Sequence, residues 1–123
     1  MPLALILLLL FVPPAFSQTA DREFKIEAAA LVASNLADTV STAQAFHRCS
    51  TCIEANRWYG GDRNMTKISL SSLAIDLGVA SLSYEWKRHI HNRWLHPLWR
   101  AGLILQTESH TQAAIHNWRT KWP

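Results

Sequence analysis

Residues 66–90 read TKISLSSLAIDLGVASLSYEWKRHI, and this stretch decides the class of fold. Its apolar residues, Ile68, Leu70, Leu73, Ile75, Leu77, Val79, Leu82, Tyr84 and Trp86, surround most of the circumference of a helix. What is polar is confined to a narrow stripe of Ser69, Ser72, Asp76, Ser83 and Lys87. A helix apolar nearly all round has to be buried, either in protein or in lipid. Thr66 is expected to cap its start, and Lys87, Arg88 and His89 complement the dipole at its end.

On the N-terminal side, residues 21–46 repeat apolar positions at three- and four-residue steps: Ile26, Ala29, Ala33, Leu36, Val40 and Ala43. Glu27, Ser34, Asn35, Asp38, Ser41 and Thr42 fall on the opposite face, which predicts an amphipathic helix. Between the two, Arg48 to Arg63 loses the period and carries Gly60-Gly61-Asp62, the mark of a loop. On the C-terminal side Pro97 suits the first position of a third helix, over residues 97–118. Its Arg100, Gln106, Glu108, His110, Gln112 and His116 make it too polar to be read as a bilayer span by itself.

The chain begins with an unbroken apolar run, Leu3 to Val12, followed by Pro13-Pro14 and the small residues of Ala15-Phe16-Ser17. That pattern is read as a secretory signal over residues 1–17, or a short anchor, since ten apolar residues do not cross a bilayer. The expectation is therefore an all-α protein: a three-helix membrane-associated bundle in one domain, residues 18–123, behind the signal segment. It would be exported and held in the cell envelope, membrane-associated or periplasmic, or secreted. With 123 residues, 17% of them charged and 49% hydrophobic, the chain is too short for a two-domain enzyme and too apolar to be disordered. Its formal charge of +3 is too slight to make nucleic acid the expected partner.

Charge and topology pull against each other. Lys87, Arg88, Arg93 and Arg100 put the connection between the second and third helices on the cytoplasmic side, whereas a cleaved signal puts Gln18 outside. If the first two helices both span, that connection returns to the outside.

Four groups of side chains carry candidate chemistry. Cys49 and Cys52 form a C-x-x-C, which in an exported protein suits a local disulfide and otherwise a zinc or iron site. Only His47, His89 and His91 could complete such a metal site, since no other Cys exists and no H-E-x-x-H spacing occurs. Trp86, Trp94 and Trp99 interleaved with Lys87, Arg88, Arg93 and Arg100 are what a lipid headgroup layer holds. Asn35 with Asp38, Asp76 and His110 are polar groups available to meet between helices; Asp76 needs a partner if buried, with Lys87, His110 and Arg100 as candidates, while Asp38 is read as solvated. No nucleophile motif or Gly-rich phosphate loop accompanies the two carboxylates.

Asn35-x-x-Asp38-Thr39-x-x-Thr42, the loop residues Glu54-x-Asn56 and the terminal His116-Asn117 resemble a group of short, uncharacterised bacterial proteins expected to lie in the membrane. In that group Pro often follows the loop Asn, where this chain has Arg57, and the Cys pair is not general. The resemblance implies a helical envelope protein without an assigned reaction and brings no catalytic residue. Two functional expectations follow. One is a non-enzymatic helical membrane or envelope protein that acts through contacts with lipid or a membrane protein complex, as an accessory subunit. The alternative is a small metal- or redox-binding envelope protein using the C-x-x-C and nearby His.

Overall fold

The computed structural model describes residues 21–54 and 63–121, and the expected signal segment lies outside these residues. Three helices and no strand occur among the described residues: α1 (Arg22–Arg48), α2 (Met65–His89) and α3 (Trp99–Arg119). A 3-10 turn, His96–Leu98, leads into α3, so Pro97 serves the turn and the helix itself starts two residues later than expected. Asp21 caps α1 by accepting from the amide of Phe24. Asn64, not Thr66, caps α2, its side chain accepting from the amide of Lys67. The C-terminal end of α1 is closed by Arg63, whose guanidinium donates to the carbonyls of Phe46, Cys49 and Cys52 at 2.8, 2.7 and 2.5 Å. It thereby satisfies acceptors that a helix end leaves open.

The helices run up, down and up. α1 and α3 lie parallel and in register: Phe24 meets Trp99, Asp38 meets His110, and Ser41 meets Asn117. α2 runs antiparallel to both, with Tyr84 beside Phe24 at one end and Ser72 and Asp76 beside Asn35 further along. α3 is the central element, packing along α1 and against α2.

The core divides along its length. At one end it is apolar, built from Phe24, Leu31, Ala80, Trp99 and Leu103, with Phe24 and Tyr84 edge to face at 5.4 Å. Beyond Leu31 the buried residues are mostly polar: Ser34, Asn35, Ser41 and Thr42 on α1, Ser69, Ser72 and Asp76 on α2, and His110 on α3. On α1 the apolar line points outward, with Ile26, Ala29, Ala33, Val40 and Ala43 exposed, and the polar side points in. On α2 the narrow polar stripe is buried, and Leu82 is 73% exposed.

Two glycines separate packing from propensity. A Cβ on Gly102 would come within 3.2 Å of Val79 Cγ1 and 3.7 Å of Ser83 Oγ, so Gly102 is where α3 closes on α2. A Cβ on Gly78 would meet nothing within 4 Å. Gly102→Val is therefore expected to destabilise by about 1–3 kcal/mol through overpacking, while Gly78→Ala stabilises by about 0.5–1 kcal/mol through helix propensity. Unfolding of both variants under one set of conditions checks the opposite signs.

Candidate functional site

The buried polar groups converge on His110, which is 1% exposed. Its Nδ1 lies 2.7 Å from Asp38 Oδ2 on α1, and its Nε2 lies 3.2 Å from both carboxylate oxygens of Asp76 on α2. One imidazole thus ties the three helices together. With an ionised carboxylate on each ring nitrogen, both nitrogens must donate, and only the doubly protonated imidazolium does so.

Further donors surround the carboxylates. Asn35 Nδ2 donates to Asp76 Oδ2 at 2.5 Å and to Ser72 Oγ at 2.6 Å, while Thr42 donates to Asp38 Oδ1 at 3.3 Å. A buried ion pair is tolerable when its remaining lone pairs are met in this way, because the desolvation of each charge is otherwise unreturned. Asp38, read from the sequence as solvated, is a partner in the cluster with its side chain 15% exposed. Of the candidate partners for Asp76, the fold selects His110. Lys87 instead pairs with Asp21 and Glu23, and Arg100 with Glu23 and Glu27. A second polar layer follows toward the far end of the bundle, where Asn117 donates to Ser41 and Thr42 and Trp118 donates to Gln44.

Chemically the cluster is closed. Each ring nitrogen already faces a carboxylate, so neither offers a free base to a substrate hydroxyl nor a lone pair to a metal. Among the described residues no group of His, Cys, Asp and Glu has the arrangement of a metal site.

Cys49 and Cys52 are joined in a local disulfide just past the end of α1. His89 and His91 stand at the other end of α2, a helix of 25 residues and so about 37 Å long. They cannot share a metal with the Cys pair. His47 is near the pair in sequence and is exposed. Because the bridge closes so few residues, replacing both Cys49 and Cys52 by Ser should cost at most about 2 kcal/mol and leave the helical content intact. Circular dichroism with a thermal melt checks this, and an unfolded double variant would contradict it.

The expected headgroup residues divide. Trp94 is exposed beneath the guanidinium of Arg93 at 4.6 Å, and Trp86 donates its indole N–H to the carbonyl of Leu95 at 2.9 Å. Trp99 by contrast is a core residue, 3% exposed, with Lys87 Nζ 4.1 Å and Arg100 4.9 Å from its ring centre. Its place among cations in the sequence looked interfacial; in the fold it packs beside Phe24 in the apolar core. At this same end the ammonium of Lys87, and next the amide of Phe24, hold the Asp21 carboxyl below its ordinary value. A cavity of about 470 Å³ opens beside this pair, lined by Asp21, Glu23, Phe24, Tyr84, Lys87, Arg88, His91 and His96. Nothing in the sequence pattern marked that cavity, because its walls come from three separate segments.

In comparison with known proteins, the chain matches no family model, no curated protein and no solved structure.

Proposed function

We propose that this protein is a non-enzymatic, membrane-embedded helical bundle that acts through contacts with lipid and with another membrane protein, as an accessory subunit. The observation that carries this reading is the inverted distribution of side chains: a charged, hydrogen-bonded middle inside and aliphatic residues outside. Water drives apolar surface inward, whereas lipid exerts no such force and leaves polar contacts and small residues to join helices.

Charge placement supports it. Between Glu27 and His47 the only charged residue of α1 is Asp38, and between Lys67 and Glu85 the only one of α2 is Asp76. These bands are about 28 and 25 Å long, close to the ~30 Å of a bilayer's hydrocarbon. Both carboxylates fall at mid-height and both turn inward to His110. α2 is long and apolar enough to cross a membrane, and only 28% of its apolar window is buried in the bundle, where a core helix of a water-soluble protein is mostly buried. All six Trp lie outside the two bands.

α3 supports the second half of the reading. Glu108, Thr111 and Gln112 make an exposed polar line on its outer face, and Gln112 donates to Glu108 at 3.0 Å. Lipid covers such a line poorly, and another protein covers it well. The disulfide favours an oxidising compartment for the Cys49–Cys52 end. The α2–α3 connection then faces the cytoplasm, in keeping with Lys87, Arg88, Arg93 and Arg100. That orientation starts α1 inside, which a cut before Gln18 on the outer face does not permit. Intact mass of the native protein decides between them, a mature start at Gln18 excluding the orientation.

The embedding itself is tested by alkaline extraction of membranes from cells making the full chain. The protein should stay with the membrane after carbonate and enter solution only with detergent. Recovery as a monodisperse species in plain buffer would sink the reading.

A further inference from the structure

The cavity at the α2–α3 connection contains opposite charges that are not equally engaged. Its two acids are satisfied: Lys87 Nζ lies 2.6 Å from Asp21 Oδ2 and 3.3 Å from Glu23 Oε2, and Arg100 reaches Glu23 at 3.3 Å. Its remaining donors are not. Arg88, His91 and His96 line the same space, and their side chains have no hydrogen-bond or ion-pair partner among the described residues. Three uncommitted nitrogen donors around one cavity, with the local carboxylates already paired, leave N–H groups that an anionic acceptor would satisfy.

We propose that this cavity binds a phosphate group, held by Arg88, His91 and His96. A guanidinium presents a planar fork of N–H donors that matches two phosphate oxygens, and each imidazole adds one more donor. The wall formed by Phe24 and Tyr84 suits the carbon atoms attached to a phosphodiester rather than a second charge. A volume of about 470 Å³ accommodates a headgroup-sized ligand. The cavity stands at the end of the bundle where Trp86 bonds the Leu95 carbonyl and Trp94 lies beside Arg93, so a phospholipid headgroup is the nearest source of that phosphate, and this choice of source rests on the embedding proposed above. The phosphate chemistry does not rest on it.

The test titrates the full chain, purified in an uncharged maltoside detergent, with dioctanoyl phosphatidylglycerol and separately with inorganic phosphate, reading tryptophan fluorescence. Saturable one-site binding of the lipid is expected, weakened at least tenfold in Arg88→Gln and in the double variant His91→Gln, His96→Gln. Arg93→Gln, whose side chain stacks on Trp94 rather than lining the cavity, should bind within twofold of the parent. Circular dichroism confirms that each variant is folded, and Arg88→Lys should recover part of the loss as a cation without the fork. Inorganic phosphate binding as tightly as the lipid would support the site and assign it a soluble ligand. Equal weakening by Arg93→Gln and Arg88→Gln would reduce the effect to diffuse attraction and overturn the site. The same follows if folded protein binds neither probe. A chain that resists carbonate extraction yet binds neither probe refutes the cavity proposal alone. A chain soluble without detergent refutes the embedding, and the inorganic phosphate titration then decides the cavity.

Discussion

His110→Leu is expected to be the most damaging single substitution in the chain, costing about 3–5 kcal/mol of stability. The leucine fills space comparable to the imidazole, so the loss is electrostatic. Asp38 and Asp76, 15% and 8% exposed in their side chains, would face each other across the bundle with no cation between them. Asn35 and Thr42 still donate to one carboxylate each, but two neutral donors do not offset two like charges. Adding Asp38→Asn and Asp76→Asn to the leucine variant removes both charges, and more than half of the lost stability should return. Denaturant unfolding in maltoside micelles, followed by helical circular dichroism, gives all the values. A His110→Leu protein as stable as the parent would mean that the carboxylates are not ionised against the ring. Failure of the triple variant to recover would mean that shape, not charge, holds the three helices.

The three helices were legible in the sequence because their periods, caps and interruptions are local properties. α1 and α2 begin and end within about two residues of the limits that periodicity and the Gly60-Gly61 break suggested. The small discrepancies have small causes. Asn64 stands two residues before Thr66 and reaches the Lys67 amide first, and Pro97 enters a 3-10 turn because the chain must still change direction before Trp99.

Which face of α1 turned inward was not legible. A two-sided pattern fixes that Ser34, Asn35, Asp38, Ser41 and Thr42 share a side; it does not say which side meets the other helices. The assumption of water outside would turn Ile26, Ala33 and Val40 to the core. The pattern of α2 already questioned that assumption, since its apolar girth left only the serine and Asp76 stripe for helix contacts. Joining the two polar sides would have required knowing that α1 and α2 run antiparallel with Asn35 level with Ser72 and Asp76. His110 was one of three possible cations for Asp76 for the same reason. The pairing is set by the α1–α3 register, and sequence spacing carries no information about register between separate helices. The cavity beside Lys87 was the least visible feature, because Asp21 is distant in the chain from Arg88 and His96 and shares no periodicity with them.

The medium outside the bundle can be read from a single position, Ala74. It is exposed on α2, two residues before Asp76 and near the middle of the band from Ile68 to Tyr84, in which Asp76 is the one charge. Asp at 76 points inward to Asn35 and His110; Asp at 74 would point outward. If water lies outside, Ala74→Asp is an ordinary surface change and should move stability by no more than about 0.5 kcal/mol. If lipid lies outside, the same carboxylate meets the centre of the hydrocarbon and costs about 2.5–3.5 kcal/mol, roughly a hundredfold in insertion. We expect the second outcome, read as loss of carbonate-resistant protein from the membrane fraction at equal synthesis. Ala74→Leu should insert at least as well as the parent, which separates the cost of charge from the cost of any larger side chain. An Ala74→Asp chain recovered in the membrane in full yield would place that face of α2 against water or a polar partner, and the serine and aspartate core would then need a reason other than lipid.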